Sequence, residues 1–486
     1  MTRTRLMLAW GAALLLAGCD FAPHYKVPTV SVPASYRDTT IWRSAMPADT
    51  GIRPDSWTSF GDPILDKLEA ELNRQSLTLA AAAAAFDQAR ASAAEAEAGL
   101  LPSIDLEGGL AKTVAPSSNN DLVAHGLPPF FLRNTFAGGL SYELDIWGRI
   151  RNEVAAGRAA AQAKGADLAF VRLSLQATLA STYLLLRGLD AEQDLFQHTV
   201  AAYQQAFDIA QNRFGGKISP EMDVTRAQAQ LESARAELED VAARRALAEH
   251  AIATLIGVSA PAFSIAPSLK PIHLPELPPA VPATLLQRRP DIAAAERLVA
   301  AANSSIGIAR AAFFPNVELD AVAGFQSTNL SVFNAPSEFW SLGATVRLPI
   351  FEGGFLNAQE AATIATYNAA TANYRNTVLT AFQEVQDSLS QLHYYGNEEA
   401  DDRRAVAAAQ HTLDMAMALY IDGATDFLQV VVAQESLLGA QQHLLQLQTQ
   451  YLQAGVQLMR ALGGGWSEQD LPKASGVGLY HETIAQ

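Results

Sequence analysis

The sequence predicts a mainly α-helical fold with membrane β-structure, built from a duplicated helix-strand-strand-helix-helix unit. Three observations carry this reading. Two heptad seams repeat in one register, two proline-free stretches of about 65 residues precede them, and four short segments alternate apolar and polar residues.

The first seam runs through Val224, Ala227, Leu231, Ala234, Leu238, Val241, Arg245, Ala248, Ile252 and Leu255. Adding 206 to each position gives Val430, Ala433, Leu437, Ala440, Leu444, Leu447, Tyr451, Ala454, Leu458 and Ala461. Alternating spacings of three and four place each series on one helical face, the pattern of helices packed as coiled coils. Both series end at glycine, Gly257 and Gly463. Arg245 interrupts the first, and is expected to be exposed or to snorkel toward solvent.

Ahead of the seams, no proline occurs from about Arg149 to Arg213 or from about Phe355 to Tyr420. Helices of that length reach roughly 100 Å at 1.5 Å per residue. No compact domain needs such a rod. Each rod ends in a turn, Phe214 to Pro220 and Asp422 to Thr425, and the chain returns along the seam helix. Four helices per chain cannot enclose a wide tube, so oligomerisation is expected.

The duplication reaches upstream, where Leu101-Pro102-Ser103-Ile104-Asp105-Leu106 answers Phe314-Pro315-Asn316-Val317-Glu318-Leu319. Alternation marks half-buried strands there and at Leu140 to Ile146 and Ala344 to Ile350. Asp105, Glu107, Glu143, Asp145, Glu318, Asp320 and Arg347 fall on the polar side. Aromatic residues gather at strand ends: Phe136, Trp147, Phe325, Phe339, Trp340 and Phe351. Segments of about ten residues suit tilted strands crossing a bilayer with a polar interior. A soluble sandwich with one wet face shows the same periodicity, so the alternation alone leaves both readings open.

The N-terminus carries an export signal. Arg3 and Arg5 precede the apolar run Leu6 to Leu16, and Leu16-Ala17-Gly18 precedes the only cysteine, Cys19. This resembles a bacterial lipobox, which implies cleavage before Cys19, acylation of its thiol and anchoring to lipid. Asp20 resembles the inner-membrane retention signal of enteric lipoproteins, so the motif alone does not decide between membranes. A net charge of −16 argues against nucleic-acid partners.

The expected organisation follows. A signal peptide covers 1–18 and an extended anchored segment 19–55. The first repeat covers 56–258, with strands near 102–112 and 137–147 and a helical hairpin near 149–257. A proline-rich linker covers 259–282. The second repeat covers 283–464, with strands near 315–325 and 340–350 and a hairpin near 354–463. A loose tail covers 465–486.

Nine scattered histidines show no metal-ligand spacing with one another or with cysteine, and no phosphate loop or nucleophile elbow occurs. No catalytic residue, metal or cofactor is expected.

Leu285 to Ile292 (LLQRRPDI), Ala295-Glu296, Ile306 to Arg310, Phe314-Pro315, Trp57 with Phe60-Gly61-Asp62-Pro63, Tyr142 to Gly148, and Arg460 to Trp466 together resemble the NodT branch of outer-membrane efflux lipoproteins, within the TolC/OprM superfamily. The resemblance implies a homotrimer, with a 12-stranded β-barrel continued by a 12-helix periplasmic α-barrel. It also implies a periplasmic adaptor (membrane fusion) protein and an inner-membrane transporter of the resistance-nodulation-division (RND) type. By that likeness Gly215, Gly216, Ser219, Gly423 and Thr425 form the periplasmic tip that meets the adaptor, with Asp422 and Asp426 near its gate. Relatives carry an aspartate where this chain has Thr425. The alternative is a periplasmic adaptor or structural coiled-coil lipoprotein. An adaptor has one hairpin between short β-rich domains, whereas this chain has two matched halves.

Overall fold

The computed structural model describes residues 20–31, 56–114, 130–275, 288–327 and 337–477. Cys19, the signal peptide and the end of the tail lie outside the described residues, as do most of both loops joining the strand pairs.

In the first half, α1 (Pro63–Gln75) and α2 (Leu77–Ala98) lead into β1 (Ser103–Val114) and β2 (Phe130–Glu143), followed by α3 (Arg149–Gly215) and α4 (Glu221–Leu255). The second half runs α5 (Pro290–Ala311), β3 (Asn316–Ser327), β4 (Glu338–Arg347), α6 (Phe355–Ile421) and α7 (Phe427–Ala461), then a short α8 (Ala474–Val477). Both ends of α3 and α4 lie 206 positions before the ends of α6 and α7. The 67-residue helices α3 and α6 each extend about 100 Å.

Local chemistry starts and stops these helices at matched points. Gly148 and Gly354, both in the left-handed region, turn the chain from sheet into rod. Gly257 and Gly463 are also left-handed and close α4 and α7. A side chain at either would collide with backbone, with Gln75 O 2.4 Å and Arg288 O 2.0 Å from its Cβ. The Phe60-Gly61-Asp62-Pro63 motif is a helix start. Asp62 accepts from the Ile64 amide at 2.8 Å, Pro63 occupies the first helical turn, and the Tyr183 hydroxyl donates to the other Asp62 oxygen at 2.7 Å.

The largest core cluster lies part-way along the rods. Trp57, Phe60, Leu65 and Leu72 meet Leu179, Tyr183, Leu186 and Phe196 of α3, with Val241 and Ile252 of α4 and Val456 of α7. The apolar middle of α3 is long enough by composition to span a bilayer, but Leu173, Leu179, Leu184 and Leu186 are spent in this core. Among the described residues, Glu69 is a buried carboxylate that is poorly served. It lies on α1, is 5% exposed, and neither carboxylate oxygen has a well-formed hydrogen bond. Burial, with Asp66 adding to it, pushes its carboxyl up to about 9.

Three expectations change. The residues after the first repeat do not merely bridge the halves, because 263–275 form a strap bound across the rods. Arg187 of α3 donates to Ala266 O at 2.8 Å, and the Ile265 amide donates to Glu249 at 2.7 Å. Arg245 is the hub of this junction and not an exposed seam residue. Its side chain is 12% exposed, pairs with Asp190 at 2.6 Å and Glu249 at 2.8 Å, and donates to Ile265 O. A cation fits the seam because α3 supplies a buried carboxylate opposite it. The tail is docked as far as Val477, which is buried against Ala93 and Ala161, while Pro472 O accepts from Gln162.

The four strands form one antiparallel sheet in the order β1-β2-β3-β4, so among the described residues β1 and β4 are open edges. The N-terminal segment is fastened where sheet meets rods. Phe21 stacks on Phe314 with ring centroids 4.3 Å apart, Phe314 lies 5.0 Å from Trp147, and the Trp147 indole donates to Pro315 O.

Candidate functional site

Directly opposed residues of an antiparallel ladder project from the same face of the sheet. The rows Ile104–Leu140–Ala321–Leu342 and Leu106–Gly138–Ala323–Trp340 therefore build one apolar face, extended by Tyr142–Leu319–Ala344 and Val317–Val346. The opposite face gathers Asp105 and Glu107 from β1, Glu143 opposite Glu318, Asp320 opposite Ser141, and Arg347 opposite Asn316. The apolar face is uncovered, with Leu106 71%, Trp340 79% and Leu342 76% exposed. A soluble monomer does not leave so continuous an apolar surface in water.

Two of the seven strand charges have other duties. β2 ends at Glu143, three residues before the alternation ends at Ile146, so Asp145 is not a strand residue. Its carboxylate accepts from the Ile150 and Arg151 amides, both at 3.0 Å, and caps the start of α3. Glu143 is held by both arms of the Arg149 guanidinium at 2.8 and 2.6 Å. The polar face thus keeps Asp105, Glu107, Glu318 and Asp320 against Arg347. Its negative field is weaker than the count of acidic residues suggests.

At the far end of the rods, the two helical turns have the same construction. Ile218 N donates to Arg213 O and Ala424 N to Leu419 O, both at 2.8 Å, each closing a helix through one left-handed residue. In the second turn that residue is Gly423, at φ +73°. In the first it is Lys217, at φ 55°, and not Gly215 or Gly216 as glycine content suggests. Gly215 ends α3 and Gly216 sits at φ −77°. Asp426 caps α7 by accepting from the Gln429 amide, and Asp422 is an exposed residue at the end of α6. Thr425 and Ser219 precede the two returning helices at equivalent positions.

The turns are tied together by residues that motif reading passed over. Arg213 of α3 donates to Ile421 O on α6 at 2.8 Å, and its guanidinium lies 4.9 Å from the centre of the Tyr420 ring. Tyr420 packs edge-on to Phe427 at 5.1 Å, with its hydroxyl near Ser219 and Asp223. Asp223, in the first turn of α4, is 4% exposed. Burial raises its carboxyl and Asp426 adds to that, while Arg226, Tyr420 and Arg213 pull it down. An acidic residue opening a helix is ordinary in sequence. Only the packing of one hairpin against the other makes Asp223 a buried charge. The signal available beforehand was the 206 register, which places Arg213 and Tyr420 within one helical turn of matched stops.

Residues 69–258 and 281–464 match the family model described as outer membrane efflux protein. The probable efflux pump outer membrane protein TtgC of Pseudomonas putida is 30% identical over 472 residues, covering 96% of this chain and 97% of its own. A membrane protein from Pseudomonas aeruginosa of solved structure has a TM-score of 0.83 at 30% identity, over 93% of this chain and 98% of its own. The outer-membrane channel OprN has a TM-score of 0.82 at 27% identity, over 92% and 100%.

Proposed function

Because the chain belongs to the outer membrane efflux protein family, we propose that three copies form a passive duct, with twelve strands closing a barrel in the outer membrane and twelve rod helices continuing it through the periplasm. The protein is the outer-membrane channel of an efflux system and not an enzyme. It receives small molecules from an inner-membrane RND-type transporter and a periplasmic adaptor and releases them outside.

The observation that carries this is the two-faced sheet. Four strands are too few for a barrel, and lipid tolerates no open strand edge, so the edges of β1 and β4 must be paired by other copies. The exposed apolar face then meets lipid, and Asp105, Glu107, Glu318, Asp320 and Arg347 line the lumen. That lining is acidic and makes the pore prefer cations. The aromatic junction of Phe21, Trp147 and Phe314 lies beside the start of the mature chain. It suits the inner lipid boundary, where acyl groups on Cys19 would insert. At the other end, the turns around Gly215, Gly216, Ser219, Gly423 and Thr425 meet the adaptor. Arg213, Tyr420 and Asp223, with Asp422 and Asp426 around them, hold the hairpins together in the resting tip.

Density-gradient fractionation of membranes and gel mobility of the unheated protein test the assembly. A heat-sensitive trimer in the outer-membrane fraction is the expected result, and a monomer in the inner membrane overturns it.

A further inference from the structure

We propose that Glu398, Asp402 and His443 form a divalent transition-metal site that clasps α6 to α7. Glu398 and Asp402 are one helical turn apart on the same face of α6, and His443 reaches them from the antiparallel α7. The three donor atoms all lie within 4.8 Å of one another. The imidazole Nδ1 is 2.7 Å from Asp402, and Nε2 is 3.8 Å from Glu398. Three histidine and carboxylate donors on two packed helices, with one side open to water, suit a borderline ion such as zinc or cobalt.

The duplication supplies a second, independent argument. Glu398 stands 206 positions after Glu192, and Gln450 stands 206 after Arg244. In the first hairpin, Arg244 reaches across from α4 and neutralises Glu192 at 3.3 Å. The second hairpin has no cation at that equivalent position. Asp402 is an added carboxylate, because its counterpart is the buried Phe196. Two carboxylates therefore face the His443 ring, whose counterpart in the first repeat is Glu237, while the arginine that neutralises Glu192 has no equivalent beside them. The surrounding charges are already engaged, Arg403 with Glu399, Glu399 with Gln448, and Arg404 with Asp401. A metal ion supplies the missing positive charge and joins the two helices through inner-sphere bonds. The sequence shows no ligand spacing because the donors come from helices 41 residues apart along the chain.

Zinc titration by calorimetry on the full chain in detergent tests this, with cobalt as a spectroscopic probe. The expected result is one zinc ion per chain at pH 7.5, with binding lost at pH 5.5, where protons compete for the imidazole and carboxylates. Cobalt absorption should disappear in His443→Gln and Asp402→Asn. His443→Arg removes the imidazole donor and sets a permanent positive charge beside Glu398 and Asp402, so it should fold with normal thermal stability yet show no zinc-induced rise in melting temperature. Absence of stoichiometric zinc binding, or equal binding by His443→Gln and the parent, overturns the proposal.

Discussion

Arg213→Ala isolates the tie between the two hairpins at the tip. The lost interactions are a charged hydrogen bond to Ile421 O at 2.8 Å and a guanidinium 4.9 Å above the Tyr420 ring. Hydrogen bonds to charged groups contribute about 1.5 kcal/mol at the low end of their range, appropriate to a partly exposed side chain. An exposed cation–π contact adds about 0.5 kcal/mol. The total of about 2 kcal/mol, at roughly tenfold per 1.4 kcal/mol, shifts the balance between joined and parted tips by about 30-fold. Single-channel recording in planar bilayers measures this as the fraction of time spent at the low-conductance level. That fraction should collapse in Arg213→Ala and recover partly in Arg213→Lys, which keeps the charge but not the planar fork. An alanine variant with the dwell times of the parent would refute the assignment of Arg213 to the resting tip.

Glu69 titrates near 9 in the fold against about 4.5 for an ordinary glutamate, so folding favours its protonated form. Its contribution is complete below pH 4.5 and is lost as pH rises toward 9. Glu69→Gln should therefore stabilise the protein by about 3 kcal/mol at pH 7 and flatten the decline of melting temperature between pH 5 and 9, as read by circular dichroism. Lys217→Gly relieves a left-handed residue and should stabilise the first turn by about 1 kcal/mol, visible as slower amide exchange around 212–218. Leu106→Arg places a charge on the apolar face at a cost of about 2–4 kcal/mol, so the heat-sensitive trimer should disappear from outer-membrane fractions. Asp105→Asn with Glu107→Gln removes two of the four remaining carboxylates, and the reversal potential in a salt gradient should move toward non-selectivity.

Much of this architecture was legible because helices and strands write their periodicity directly into the chain. The 206 register located both hairpins, and the alternation of Asp105 with Ile104 and Glu318 with Val317 assigned the faces that the strand register later shows. The end of β2 was less legible. Leu144 and Ile146 continue the alternation, but Asp145 is drawn to the amides opening α3, and a capping carboxylate ends a strand without disturbing its pattern. Lys217 escaped for a related reason. Two adjacent glycines suggest where the left-handed residue should be, yet the length of α3 sets the stop one residue later.

By itself, the sequence determined the duplication, the rods, the two-faced strands and the need for other copies, because each depends on spacing along one element. Tertiary structure alone decided the charges. Arg245 became a half-buried hub, Glu143 and Asp145 left the free polar face, Asp223 became buried, and His443 came to face Glu398 and Asp402. A charge takes its role from whichever group lies within a few ångströms, and for these residues several of the deciding neighbours belong to elements remote in the chain.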